Sequence, residues 1–189
     1  MENVLIVSCA EKSADLFTGM LHEITVNQIT MVKTAGEARQ LLMEQDFDLV
    51  IINTPLEDES GESLSRHIVS KSRSQVILAV EKEDFDAVSA VCEGDGILTI
   101  ANPVNKAIFR SALSLARSTG NRIKRIQSEN IQLKQKIEDI RVIDRAKCLL
   151  ISYLNLTEQE AHRFIEKQAM DLRSSKRAIA EGVLKTYAN

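Results

Sequence analysis

Short apolar runs alternating with amphipathic stretches over the first 118 residues predict an α/β fold, a doubly wound five-stranded parallel sheet. Two further patterns predict the rest of the chain. A heptad seam predicts a coiled-coil helix over 119–140, and three short amphipathic segments predict an all-α three-helix unit over 141–189. The expected domains are therefore 1–118, 119–140 and 141–189.

Residues 3–7 (NVLIV), 49–52 (LVII), 76–80 (VILAV) and 97–100 (ILTI) read as buried strands, being short and rich in Val, Ile and Leu. Residues 26–32 are more polar and are expected nearer a sheet edge. Helices are expected over 13–22, 34–44, 60–70, 84–92 and 106–117. Thr34 and Glu37 form a capping box at the start of the second.

Beyond the sheet, Ile123, Ile126, Asn130, Leu133, Ile137 and Ile140 recur at alternating spacings of three and four, the a/d stripe of a coiled coil. Asn130 at an a position lowers stability but selects a two-stranded, in-register pair, because its amide needs a partner amide. These six residues are the expected homodimer interface. The seam turns polar at Asp144 and Lys147. In the last unit Ile140, Ile143, Ala146, Leu150 and Leu154 give the first helix one apolar face. Thr157 and Glu160 form a second capping box.

The net charge of −3 is divided unevenly. Residues 1–118 carry 10 Lys and Arg against 18 Asp and Glu, a net −8, whereas residues 119–189 carry 14 against 9, a net +5. An acidic first domain and a basic second one fit a protein in which only the second meets a polyanion. No apolar run is long enough for a transmembrane helix and the first residues lack a secretory signal, so a cytoplasmic location is the simplest expectation. Cys9, Cys92 and Cys148 are odd in number and lack CxxC spacing, which predicts neither disulfides nor a structural zinc site. His22, His67 and His162 are scattered.

In a doubly wound sheet the ligand site lies at the carboxyl ends of the strands. The residues there are Ser8, Cys9, Asn53, Thr54, Ala79, Val80, Ala101 and Asn102, a set without carboxylate, imidazole or ammonium. No catalytic residue, metal or cofactor is expected, and the chain reads as a binding protein rather than an enzyme. A thiol switch at Cys9 would need a nearby cation, with Lys106 the only lysine close in the pattern; a small buried thiol is the expectation. Asp58 and Glu59, beyond the third strand, are expected as solvated surface acids.

VLIVSCAEK, LVIINTPLEDESG and ILTIANPVNK together resemble the receiver domain of two-component response regulators, which has the flavodoxin-like fold. The resemblance implies magnesium-holding acids after the first strand, a phosphoacceptor Asp ending the third, Thr or Ser ending the fourth, and Lys before a proline after the fifth. Here those positions hold Ser8 and Cys9, Asn53, Ala79 or Val80, and Asn102 before Pro103. Asn53 cannot form an acyl phosphate, and neutral side chains are poor magnesium ligands. The domain is therefore expected to be a pseudo-receiver.

A second resemblance lies further on. RVIDRAK at 141–147, TEQEA at 157–161, AMDLR at 169–173 and IAEGVL at 179–184 look like the ANTAR domain of bacterial antitermination regulators, with Cys148 where Gly is usual. That family implies a dimeric three-helix head that binds paired stem-loops in nascent RNA. The expected RNA contacts are Arg145, Lys147, Arg173, Lys176 and Arg177, with Tyr153 as the base-stacking candidate. A regulatory protein at the receiver-like domain is a further expected partner. A DNA-binding transcription factor and a protein-interaction scaffold are the alternatives; no helix-turn-helix recognition pattern supports the first of them.

Overall fold

The computed structural model describes residues 3–22 and 26–187. Residues 1–2 and 188–189, at the outer limits of the expected domains, lie outside the described residues. The chain forms two compact units, Met1–Lys124 and Arg125–Asn189.

In the first unit β1 (Asn3–Ser8), β2 (Gln28–Val32), β3 (Leu49–Asn53), β4 (Gln75–Glu81) and β5 (Leu98–Asn102) alternate with helices. The helices are α1 (Glu11–Leu21), α2 (Ala35–Glu44), α3 (Gly61–Lys71), α4 (Phe85–Cys92) and the start of α5 (Lys106–Leu154). All strand pairs are parallel and their order is β2-β1-β3-β4-β5, the doubly wound arrangement. β1 and β3 are flanked by strands on both sides and covered on both faces, which is why NVLIV and LVII read as unbroken apolar runs. β2 is an edge strand and correspondingly polar; its ladder begins at Asn3↔Gln28, two residues later than the expected start at Val26.

Alternate residues feed two cores. Val4, Ile6, Ile51 and Ile77 pack with Phe17 of α1 and Phe109 of α5, whose ring centroids are 5.4 Å apart. Leu5, Val7, Val50, Ile52 and Leu78 pack with Leu64 and Ile68 of α3. Gly61, which opens α3, sits where a Cβ would run into the methyl group of Thr54 and lie 3.0 Å from Leu78 Cδ1.

The helix expected over 106–117 does not end there: a single helix of 49 residues runs from Lys106 through the seam to Leu154. Ser118, Thr119 and Gly120 lie inside it. One mid-helix glycine costs about 1 kcal/mol relative to alanine, and no proline follows Pro103 to break the ladder.

In the second unit the end of α5 meets α6 (Glu158–Asp171) and α7 (Lys176–Tyr187). Ala146 and Leu150 of α5, Ala161 and Ile165 of α6, and Ala180 and Val183 of α7 form its core. Alanine on all three helices permits close approach, so a small unit still packs densely. Both capping boxes expected from sequence are formed. Thr34 Oγ1 accepts from Glu37 N and Thr157 Oγ1 from Glu160 N, while each glutamate accepts in return from the cap residue's N–H.

Candidate nucleic-acid interface

The carboxyl end of the sheet holds a cavity of about 650 Å³, lined among others by Cys9, Asn53, Thr54, Lys82 and Asn102. Its floor is a chain of neutral groups. Asn102 Nδ2 donates to Asn53 Oδ1 (3.1 Å), Asn53 Nδ2 donates to Ser8 Oγ (3.2 Å), and Ser8 Oγ donates to the Ala10 carbonyl (3.1 Å). Ser8 and Asn53 are buried. Thr54 Oγ1 donates to the Ala79 carbonyl. Cys9 is half-buried, not enclosed as expected, and its thiol donates to the Pro55 carbonyl at 3.0 Å. The hydroxyl, thiol and amides of Ser8, Cys9, Asn53 and Asn102 do not fit a magnesium ion, which takes hard anionic oxygens; the carboxylates of the cavity lining are Glu81 and Glu83, on either side of Lys82 in the chain. Among the described residues no cluster of three or more His, Cys, Asp or Glu is placed to hold a metal.

Asp58 is exposed, as expected of a surface acid, and Glu59 is half-buried, but both carboxylates are held by partners. Asp58 accepts from Ala35 N and Gly36 N, each at 2.9 Å, and so satisfies the open N–H groups at the start of α2. Those two N–H groups hold its carboxyl below the ordinary aspartate range. Glu59 is gripped bidentately by Arg39 and accepts from Ser63 Oγ, and Arg39 lowers its pKa. Both tether the loop after β3 to neighbouring helices, over sequence separations of 20 to 23 that no local pattern reveals.

In the second unit the expected RNA contacts fall into two groups. Lys147 is neutralised: its Nζ lies 2.8 Å from Asp144 and 3.0 Å from Glu158, its side chain is 16% exposed, and the two acids raise its pKa, Asp144 most. Arg177 pairs with Asp139 of α5 at 2.7 Å and with Glu181 at 2.8 Å. Lys176 pairs with Glu166. These cations hold α5, α6 and α7 together.

Arg145 and Arg173 are exposed and make no ion pair among the described residues. Arg173 has φ +48°, the left-handed position that favours glycine. It closes α6: Ser174 N donates to the Ala169 carbonyl and Arg173 N to that of Met170. Tyr153 is 58% exposed, and its ring centroid lies 5.5 Å from that of Tyr187. The seam residues are open in the single chain, with Ile126, Leu133, Ile137 and Ile140 each about half exposed and Asn130 exposed, while Ile123 is half-buried.

Further exposed cations lie outside the set expected from sequence, two of them together on one face of α6. Arg163 and Lys167 on α6 form no ion pair among the described residues, and their i, i+4 spacing opposite the apolar positions is the signal that could have marked them.

Comparison with known proteins agrees with this architecture. Over 150 residues the chain is 27% identical to the transcriptional regulatory protein PdtaR of Mycobacterium tuberculosis, covering 79% of this chain and 73% of that protein. Its fold is similar to the signal receiver domain of an HD domain-containing protein from Pseudomonas fluorescens Pf-5, with a TM-score of 0.59, 21% identity, and 66% of this chain and 92% of that one covered. A response regulator receiver domain protein from Clostridium thermocellum gives a TM-score of 0.57 at 18% identity, with 67% and 99% covered. The first unit thus has the fold of signal receiver domains. Residues 132–184 match the ANTAR domain family, so a receiver-like fold is followed by a segment similar to ANTAR domains. Among the described residues no helix is long and apolar enough to cross a membrane.

Proposed function

We propose that this chain is a cytoplasmic, homodimeric, RNA-binding regulator of transcription antitermination whose receiver-like domain takes no phosphoryl group. The observation that carries the reading is the ANTAR match over 132–184, on a head whose net charge is opposite to that of the first domain. In this reading 1–118 is a pseudo-receiver, 119–140 a stalk and 141–189 the RNA-binding head. Ile123, Ile126, Asn130, Leu133, Ile137 and Ile140 pair with a second copy. Their half-exposed apolar side chains support this, since a solvent-facing stripe at heptad spacing gains by burial against its like.

The head then receives paired stem-loops of a nascent transcript. Arg145 and Arg173 supply phosphate contacts, Tyr153 stacks on an unpaired base, and Lys147, Lys176 and Arg177 set the helices around them. A-form grooves hide base edges, so recognition rests on the backbone and on splayed loop bases. The neutral Ser8–Asn53–Asn102 chain supports a domain that answers to a regulatory protein rather than to a phosphoryl donor.

The test is to sequence RNA copurifying with the protein from its native cell. Enrichment of leader transcripts with tandem hairpins is expected; bound duplex DNA, or no nucleic acid, overturns the reading. For the dimer, Ile126→Asp with Leu133→Asp should give monomers by light scattering with the receiver fold retained.

A further inference from the structure

Resting on that reading, we propose that the outer face of α6, formed by Arg163, Lys167 and Met170 and closed by Arg173, is the principal RNA-binding surface of the head. The three α6 side chains recur at i, i+4 and i+7, so they share one stripe. It lies opposite Ala161, Ile165 and Ala169, which α6 buries in the head core.

Neutralising partners are scarce on this face. Three of the four acids of α6 are committed elsewhere; the fourth, Asp171, is exposed one turn beyond Lys167 and makes no ion pair among the described residues. Glu158 pairs with Lys147, Glu160 accepts from Thr157 N and Oγ1, and Glu166 pairs with Lys176 and His162. Arg163 acts on Glu160 only through space, the smallest of the influences on that carboxyl. Arg163 and Lys167 are therefore two like charges one turn apart, an arrangement that disfavours the helix unless a polyanion occupies it. Met170 is 78% exposed beside them, a flexible apolar thioether suited to covering an unstacked base. Arg173 holds a left-handed backbone that glycine would adopt without strain. A strained arginine with an unpaired guanidinium at the end of a cationic stripe implies that its side chain is required there. The cations singled out from sequence at 147, 176 and 177 are, by contrast, already saturated by carboxylates.

The test uses the full chain and a two-hairpin segment of the copurifying RNA, transcribed in vitro, with affinity measured across a salt series. Arg163→Gln with Lys167→Gln keeps helix propensity while removing both charges. It should weaken binding at least tenfold and lower the slope of log affinity against log salt by roughly 1.4 to 1.8, each phosphate contact contributing about 0.7 to 0.9. Lys71→Gln with Arg73→Gln removes the same charge from the first unit and should leave the slope unchanged. Arg173→Gly should raise the melting temperature while weakening binding. If the parent binds but the α6 variant, with native circular dichroism, binds as tightly and with the same slope, the assignment is overturned and the RNA-binding reading stands. If the parent binds neither this RNA nor any RNA from the cell, both fall.

Discussion

Asp139 and Arg177 lie 38 positions apart, and their ion pair is one of the few charged links between α5 and α7. The Arg177 guanidinium and the Gln135 amide hold the Asp139 carboxyl below its ordinary range. A carboxylate depressed in the folded state stabilises fully above its unfolded pKa of about 3.9, and that contribution is lost as pH falls through the folded value. Asp58, Glu160 and Glu166 are depressed in the same sense, by backbone N–H groups, by Thr157 and by Lys176 respectively. The melting temperature should accordingly fall between about pH 5 and pH 3. Asp139→Asn should lower it at neutral pH and shrink that acid-side drop, as followed by far-UV circular dichroism. An unchanged drop would place the acid sensitivity elsewhere.

Among the elements, α3 is constrained at its first residue. Gly61→Ala places a methyl group against Thr54, Leu78 and Ile52. Thr54 is held by Ala79 and cannot swing away freely, so urea unfolding should show a loss of about 1–3 kcal/mol. In the head, Leu150→Ala empties the centre of the three-helix core and should cost about 2–5 kcal/mol. In α5, Asn130→Ile should raise thermal stability and broaden the oligomer distribution seen by sedimentation, since the amide that would fix register in the proposed dimer is lost. Elements are legible in the sequence where their cause is local. The sheet strands, both capping boxes and the a/d stripe all lie within a few residues of their determinants. Features that depend on distant partners, or on competition between weak preferences, are not legible in this way. The continuity of α5 through Gly120 turns on one glycine against an unbroken hydrogen-bond ladder. The tethers of Asp58 and Glu59, and the saturation of Lys147 and Arg177, require knowing which helices meet. Sequence identifies a cation; only the fold identifies whether a carboxylate already holds it.

For the molecule as a whole, the proposed pairing through α5 would make stability depend on concentration, so the melting temperature should rise with protein concentration and cease to do so in the Ile126→Asp, Leu133→Asp variant. Incubation with acetyl phosphate and magnesium should leave the intact mass and the RNA affinity unchanged; an added phosphoryl group on residues 1–118 would sink the pseudo-receiver assignment. The neutral chain beneath that pocket also bears on what a single substitution there could achieve. Asn53→Asp by itself would place an anion at a position only 5% exposed, where Asn102 and Ser8 offer an amide and a hydroxyl but no cation. A buried carboxylate so placed is destabilising, because neither of its hydrogen-bonding neighbours carries a compensating charge. On the proposed reading a phosphate-driven switch would need changes at Ser8, Cys9, Asn53 and Asn102 together, because the first step taken alone is deleterious. The amide chain then acts as a barrier that no single substitution at Asn53 crosses.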